Sequence, residues 1–295
     1  MKNKSLQMKY PGGKAHVAAD ILRFCPQSFD EFRDPFCGNC PWLFHTDRIP
    51  KTMPRWINDM DKWVYNHILW MQDPATDFDD FWQLRNELVD SAEKTKRYFW
   101  WATGEISRRN NPPAYLVIRR LAHRQIVRPI RRQNVANIGF AFINNGLANL
   151  HREDLFEARD ILQGVTVTNQ DGFSVIEAPV HDGCCFSIID PPYNIESHKS
   201  GLYDHEFEEP DHRRLLRLLS SLDPAKHKFL LTIDRTPLSW ELWKLSNRFT
   251  VFERPVTHGV SSNRKRAHKI ELMVLNYDPV KERLASLRRR IAVLG

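Results

Sequence analysis

Asp190-Pro191-Pro192-Tyr193, followed by Asn194, closes the apolar run Ile188-Ile189 and gathers groups able to hold a planar base. Two successive prolines fix the backbone and remove two N–H donors, so the carbonyls near Asp190 and Pro191 can face a ligand without local competition. The Asp190 carboxylate and the Pro191 carbonyl can then accept the two hydrogens of an exocyclic amino group while Tyr193 stacks on the ring. A strand ended by a proline turn is the plainer reading of the same residues. A second group lies near the start of the chain. In Asp34-Pro35-Phe36-Cys37-Gly38-Asn39-Cys40, Gly38 lets backbone approach a ligand. Asp59 follows about 20 residues later, where a carboxylate can accept hydrogen bonds from ribose hydroxyls.

Such residues act together only if strands end beside one another. Short apolar runs at Val165–Thr168, Cys185–Asp190, Lys228–Asp234, Phe249–Phe252 and Ile270–Tyr277 read as strands, with a helix over Asp211–Leu222. Pro54–Asp59 reads as another strand, and Ala15–Phe24 as helical. The alternation predicts an α/β sheet with helices on both faces. Between residues 62 and 150 the chain turns Trp- and Arg-rich and helix-compatible, which predicts a mostly helical insertion. The sheet domain would then comprise residues 1–61 and 151–295.

With 295 residues, 42% hydrophobic and 27% charged, the composition excludes disordered, collagen-like and disulfide-scaffold classes. No apolar stretch is long enough to span a bilayer and the first residues lack a signal-peptide core, so a cytoplasmic protein without membrane partners is expected. The five cysteines are odd in number, and Cys184 and Cys185 are adjacent, which predicts free thiols. Cys37 and Cys40 have C-x-x-C spacing but lack the two further ligands zinc requires, so no metal is expected. The net charge of +7 is local. Between Lys94 and Arg132 stand 11 Lys or Arg against one acid, Glu105. Arg108, Arg109, Arg119, Arg120, Arg124, Arg128, Arg131 and Arg132, interleaved with Tyr98, Phe99, Trp100, Trp101 and Tyr115, suit phosphate contact, guanine readout and stacking on nucleic acid. A basic helical face over an aromatic core is the bland alternative.

In order along the chain, these motifs resemble those of the Dam-type (D12 class) adenine-N6-specific DNA methyltransferases. Tyr10-Pro11-Gly12-Gly13-Lys14 is similar to that family's N-terminal Tyr/Trp-x-Gly-x-Lys element, and Asp34-Pro35-Phe36-Cys37-Gly38 to its cofactor loop. Asn58-Asp59-Met60-Asp61, Asp171-Gly172-Phe173 and Asp190–Tyr193 match further elements. Tyr203 with Phe207, Asp211-His212 with Leu215, and Glu271-Leu272 with Asn276-Tyr277 match more weakly. Cys40 departs from the family's usual small residue, and Asn39 precedes it.

The resemblance implies a Rossmann-like sheet, S-adenosylmethionine as methyl donor, double-stranded DNA as partner and methylation of a flipped-out adenine at N6. It implies that Lys14 pairs with the methionine carboxylate or reaches the target base, that Asp171 accepts from the cofactor's adenine amino group, and that Tyr10, Phe36 and Phe173 supply apolar or stacking surface. Asp190 would bring adenine N6 to the cofactor. Cytosine N4 as the target atom, an RNA adenine methyltransferase, and a DNA-binding regulator on a decayed site are the competing readings. The motifs do not encode the target sequence, the oligomeric state or a companion restriction endonuclease.

Overall fold

The computed structural model describes residues 4–8, 12–122, 128–130, 135–137, 146–180, 182–192, 207–244, 248–257 and 268–284. Among these, the strands are β1 (Glu31–Asp34), β2 (Arg55–Asn58), β3 (Arg128–Ile130), β4 (Val135–Asn137), β5 (Val165–Thr168), β6 (Cys185–Ile189), β7 (His227–Asp234), β8 (Thr250–Thr257) and β9 (His268–Leu275). The helices are α1 (Ala18–Ile21), α2 (Lys62–Gln72), α3 (Phe78–Val89), α4 (Ala92–Arg109), α5 (Pro112–Leu121), α6 (Arg152–Leu162), α7 (Gly172–Glu177), α8 (Glu209–Ser221) and α9 (Pro237–Ser239). Seven strands form one sheet in the order β5-β2-β1-β6-β7-β9-β8. The neighbours from β5 to β7 pair in parallel, while β9 runs antiparallel to both β7 and β8. The expected α/β sheet is therefore present, and β3 and β4 form a separate antiparallel pair.

Side-chain alternation divides the core. Phe186, Ile188, Leu230, Met273 and Leu275 pack in one apolar cluster; Ile189, Phe229, Leu231, Leu272 and Val274 pack in another with α7 and α8. Neighbouring residues on one strand thus point to opposite faces, and each face needs its own helical cover. The first cluster continues without interruption into the predicted insertion, taking in Phe78, Phe99 and Leu116 to Ile118. Helix α2, the first element of that insertion, meets α5 on one side and α6 and β5 on the other. The described helices between residues 62 and 150 thus share the core of the sheet.

The helix starts follow side-chain capping. Asp61, Asp77, Ser91, Asn111 and Asp171 each accept an N–H from the first turn of α2, α3, α4, α5 and α7. Two buried arginines close helix ends from the sheet. Arg33 donates to the Val175, Ala178 and Pro179 carbonyls at the end of α7, and Arg55 donates to the Ile161 and Gln163 carbonyls at the end of α6. Each puts a positive charge where helix carbonyls lack partners. Replacing Arg33 with Met should cost about 3 kcal/mol, because one buried and two partly buried carbonyls and Glu31 lose their donor. Urea denaturation of the two proteins would read this directly.

Candidate active site

Chain order reverses between β1 and β6, where β1 leads on to β2 and β5 while β6 leads on to β7. Loops leaving these two strands diverge, and ligands of open α/β sheets bind in the crevice so opened. Asp34 ends β1 and Asp190 follows β6. Both are acidic: burial first, and then the nearby Asp190 and Asp59, hold the Asp34 carboxyl well above the usual carboxylate range. The Phe36 amide and the Cys40 thiol offset this only in part. Among the described residues neither Asp34 oxygen has a well-formed hydrogen bond.

Asp190 is better supplied. The Lys14 ammonium donates to Oδ1 at 2.8 Å and to Oδ2 at 3.0 Å, and the Thr232 hydroxyl donates to Oδ1 at 2.6 Å. Burial raises the Asp190 pKa, Lys14 pulls it back, and Glu271 pushes it up again. Glu271, on β9, lies 3.2 Å from the same ammonium and also pairs with Arg254 across the β8–β9 ladder. Lys14, only 5% exposed, therefore sits between two protein carboxylates. The ammonium expected to meet a cofactor carboxylate or the base lies at the Asp190 and Glu271 carboxylates.

Asn58 binds the neighbouring loops together. Its amide donates to the Pro35 and Gln170 carbonyls, and its oxygen accepts from Thr168 Oγ1 and the Gln170 amide. Beyond it, Asp59 accepts from the Gly38 amide at 2.8 Å and the Asp61 amide at 2.9 Å. Burial raises the Asp59 pKa to about 7. Gly38 has φ +47° and Cys40 φ +43°, so the loop turns through two left-handed positions, one of them at a residue with a side chain. Asp171 caps α7 through the Phe173 amide and pairs with Arg214 at 3.1 Å. The Arg214 guanidinium lies 3.9 Å from the centre of the Phe173 ring. Phe207 stacks on Phe173 at 5.8 Å and meets Phe36 edge-on at 6.2 Å. One crevice thus brings together Lys14, Asp34, Phe36, Gly38, Asp59, Asp171, Phe173 and Asp190, with Pro191 and Pro192 following. Tyr10 and Tyr193, assigned above to the cofactor and the base, lie outside the described residues, as does Tyr203. The sequence reading missed Thr232, the capping and pairing of Asp171, and the structural centrality of Asn58. Glu271 had shown only a weak motif match.

Residues 10–255 match the D12 class N6 adenine-specific DNA methyltransferase family. The chain belongs to that family. No curated protein matches it at a significant level. It is a DNA-methyltransferase enzyme on an α/β fold of the S-adenosylmethionine-dependent kind, and its substrate is DNA.

An adenine methyltransferase must also hold DNA, and two of the arginines expected to do so are engaged elsewhere. Arg119 is 3% exposed, donates to the Tyr115 hydroxyl at 2.7 Å and pairs with Asp61 at 3.6 Å. It is part of the core between α5 and α2, which corrects its expected place on a DNA-facing surface. Arg120 donates to the Gly146 and Gln7 carbonyls. Arg108 and Arg109 fall in the last turn of α4 and Arg128 starts β3, but their side chains are outside the described part. Arg124, Arg131 and Arg132 lie wholly outside it. What α4 does expose is a stripe at helical spacing: Lys96, Arg97, Trp100 and Trp101, both tryptophans 50% exposed. Among the described residues no cluster of His, Cys, Asp and Glu is arranged for a metal ion, and no helix is long and apolar enough to cross a membrane.

Gly172 packs tightly against Phe36 and Pro35. A Cβ there would lie 2.6 Å from the Phe36 ring and 2.9 Å from the Pro35 carbonyl oxygen. Gly172→Ala should therefore displace Phe36 and weaken binding of S-adenosylhomocysteine, the product form of the cofactor, by about tenfold or more, with a stability loss of about 1–3 kcal/mol. Calorimetric titration and thermal unfolding would measure the two effects.

Proposed function

We propose that this chain moves a methyl group from S-adenosylmethionine to the exocyclic N6 of an adenine rotated out of duplex DNA, by direct in-line displacement. The observation that carries the reading is the Asp190 carboxylate, held by Lys14 and Thr232 at the end of β6 beside the cofactor loop. A base inside a duplex cannot present N6 to such a crevice, so rotation out of the stack precedes reaction. S-adenosylmethionine supplies an electrophilic methyl group on a sulfonium centre.

The residues fit that cofactor. Asp34, buried and without a well-formed hydrogen bond, calls for a donor from outside the protein, and the ammonium of an amino acid provides one. Asp59, although it accepts two amides, keeps free lone pairs for ribose hydroxyls. Phe36, Phe173 and Phe207 furnish an apolar wall, and Tyr10 completes the set assigned to this subsite.

On the base side, Asp190 and the Pro191 carbonyl accept the two N6 hydrogens, the rigid Pro191-Pro192 step keeps that carbonyl aimed, and Tyr193 stacks on the adenine. Adenine N6 is a weak nucleophile because its lone pair is delocalised into the ring. Two acceptors on its hydrogens favour the tetrahedral nitrogen that attack requires. This works only while Asp190 is ionised, since a protonated carboxyl would donate where an acceptor is needed. Burial alone would favour the neutral acid, and Lys14 opposes that. The role of Lys14 is thus to keep Asp190 an acceptor. The basic insert and the exposed Lys96, Arg97, Trp100 and Trp101 stripe form the surface that receives phosphates and opened bases.

Duplex DNA incubated with labelled S-adenosylmethionine should yield N6-methyladenine on nucleoside analysis. Label only on cytosine N4, or no label, would sink the proposal. Asp190→Ala should lower methyl transfer by at least about 10²-fold while DNA retention on a filter stays within about threefold.

A further inference from the structure

Arg119 and Asp61 join the DNA-holding insert to the cofactor crevice. Arg119 lies near the end of α5, its Nε on the Tyr115 hydroxyl and its Nη2 3.6 Å from the Asp61 carboxylate. Asp61 caps α2 through the Trp63 amide, and its own amide donates to Asp59 Oδ1. The other Asp59 oxygen accepts from Gly38, inside the loop that follows β1. A continuous path of three contacts thus leads from α5 to the cofactor loop, from buried Arg119 through the partly buried Asp61 and Asp59. We infer that Arg119 is a positioning residue for the cofactor: through Asp61 it fixes the Asp59 carboxylate, so that the recognition insert itself completes the ribose subsite. The inference rests on the reading of Asp59 as the ribose acceptor.

Charge acts in the same direction as geometry. The titratable and charged groups facing Asp59 among the described residues are Asp61, Arg119, Cys37, Asp34 and Tyr115. Asp61 disfavours the Asp59 carboxylate and Arg119 favours it. The carboxylate can accept from ribose hydroxyls at full strength only when ionised. With its pKa at about 7, roughly half the molecules meet that condition at neutral pH. Losing the single cation raises this pKa further, and a rise of about one unit would leave roughly a tenth of them ionised.

The test is binding of S-adenosylhomocysteine to the full chain, measured by calorimetry at pH 7 and at pH 9. Arg119→Gln should weaken it about fivefold at pH 7 and less than about twofold at pH 9, where Asp59 is ionised in both proteins. Arg119→Lys should restore most of the loss. Tyr115→Phe, which removes only the hydroxyl that orients the guanidinium, should show a smaller loss with the same pH signature and serves as the test if Arg119→Gln does not fold. Equal weakening at both pH values, or none, would overturn the inference. Asp59→Asn separates the two layers: if it leaves binding unchanged the ribose reading itself fails, whereas weak binding by Asp59→Asn with normal binding by Arg119→Gln removes only the role of Arg119. The salt dependence of DNA binding should stay unchanged in Arg119→Gln. A slope reduced by about one would instead make Arg119 a phosphate contact.

Discussion

Carboxylates crowd the carboxyl edge of this sheet, and among the described residues few cations balance them. Asp34, Asp59 and Asp190 converge where burial disfavours each ionised acid, and Glu271 joins them through Lys14. Isolated charge transferred to a low-dielectric interior is costly enough that an unpartnered acid takes up a proton instead. Each acid here is assigned a different remedy. Asp190 has Lys14, Glu271 shares Lys14 and has Arg254, and Asp59 has two amides with Arg119 one residue removed. Asp34 has the least, with only the Phe36 amide and the Cys40 thiol to offset its burial.

This distribution explains why the cations come from so many parts of the chain. Lys14 precedes the first strand, Arg254 belongs to an edge strand, and Arg119 belongs to a helix far from the sheet in sequence. The antiparallel strand β9, inserted between β7 and β8, exists at a position that lets Glu271 face Lys14 while its register partner Arg254 neutralises its second oxygen. The described helices of the insert are likewise continuous with the core.

Much of this was legible as pattern. The apolar runs of β6 and β7 are long enough to read as buried strands, and proline and glycine mark where the loops leave them. The position of β9 was not legible, because strand order follows from pairing between distant segments and leaves little trace in local composition. The basic segment misled in a specific way. A buried arginine and a phosphate-binding arginine look alike in sequence, and Arg33, Arg55, Arg85 and Arg119 all direct their guanidinium groups at protein carbonyls, hydroxyls or carboxylates. Lys14 posed the reverse difficulty: its motif was recognisable, but its partners, 176 residues away and beyond, were visible only in the fold.

Among the described residues, the segment before α1 contributes no strand to the sheet, yet it delivers Lys14. Hydrogen bonds between Leu6 and Asn39, between Asn39 and Ser5, and between Arg120 and Gln7 hold it down. Leu6 and Met8 of the strap are buried in the same apolar cluster as α2 and α5, so the strap is part of the core. Were Lys14 to leave, Asp190 would lose the ammonium that opposes the rise in its pKa. The strap docks onto surfaces made by the cofactor loop and by α5, so it seats only where both are formed. The Lys14–Asp190 pair therefore ties the approach of the chain's first residues to the end of β6, 176 residues away.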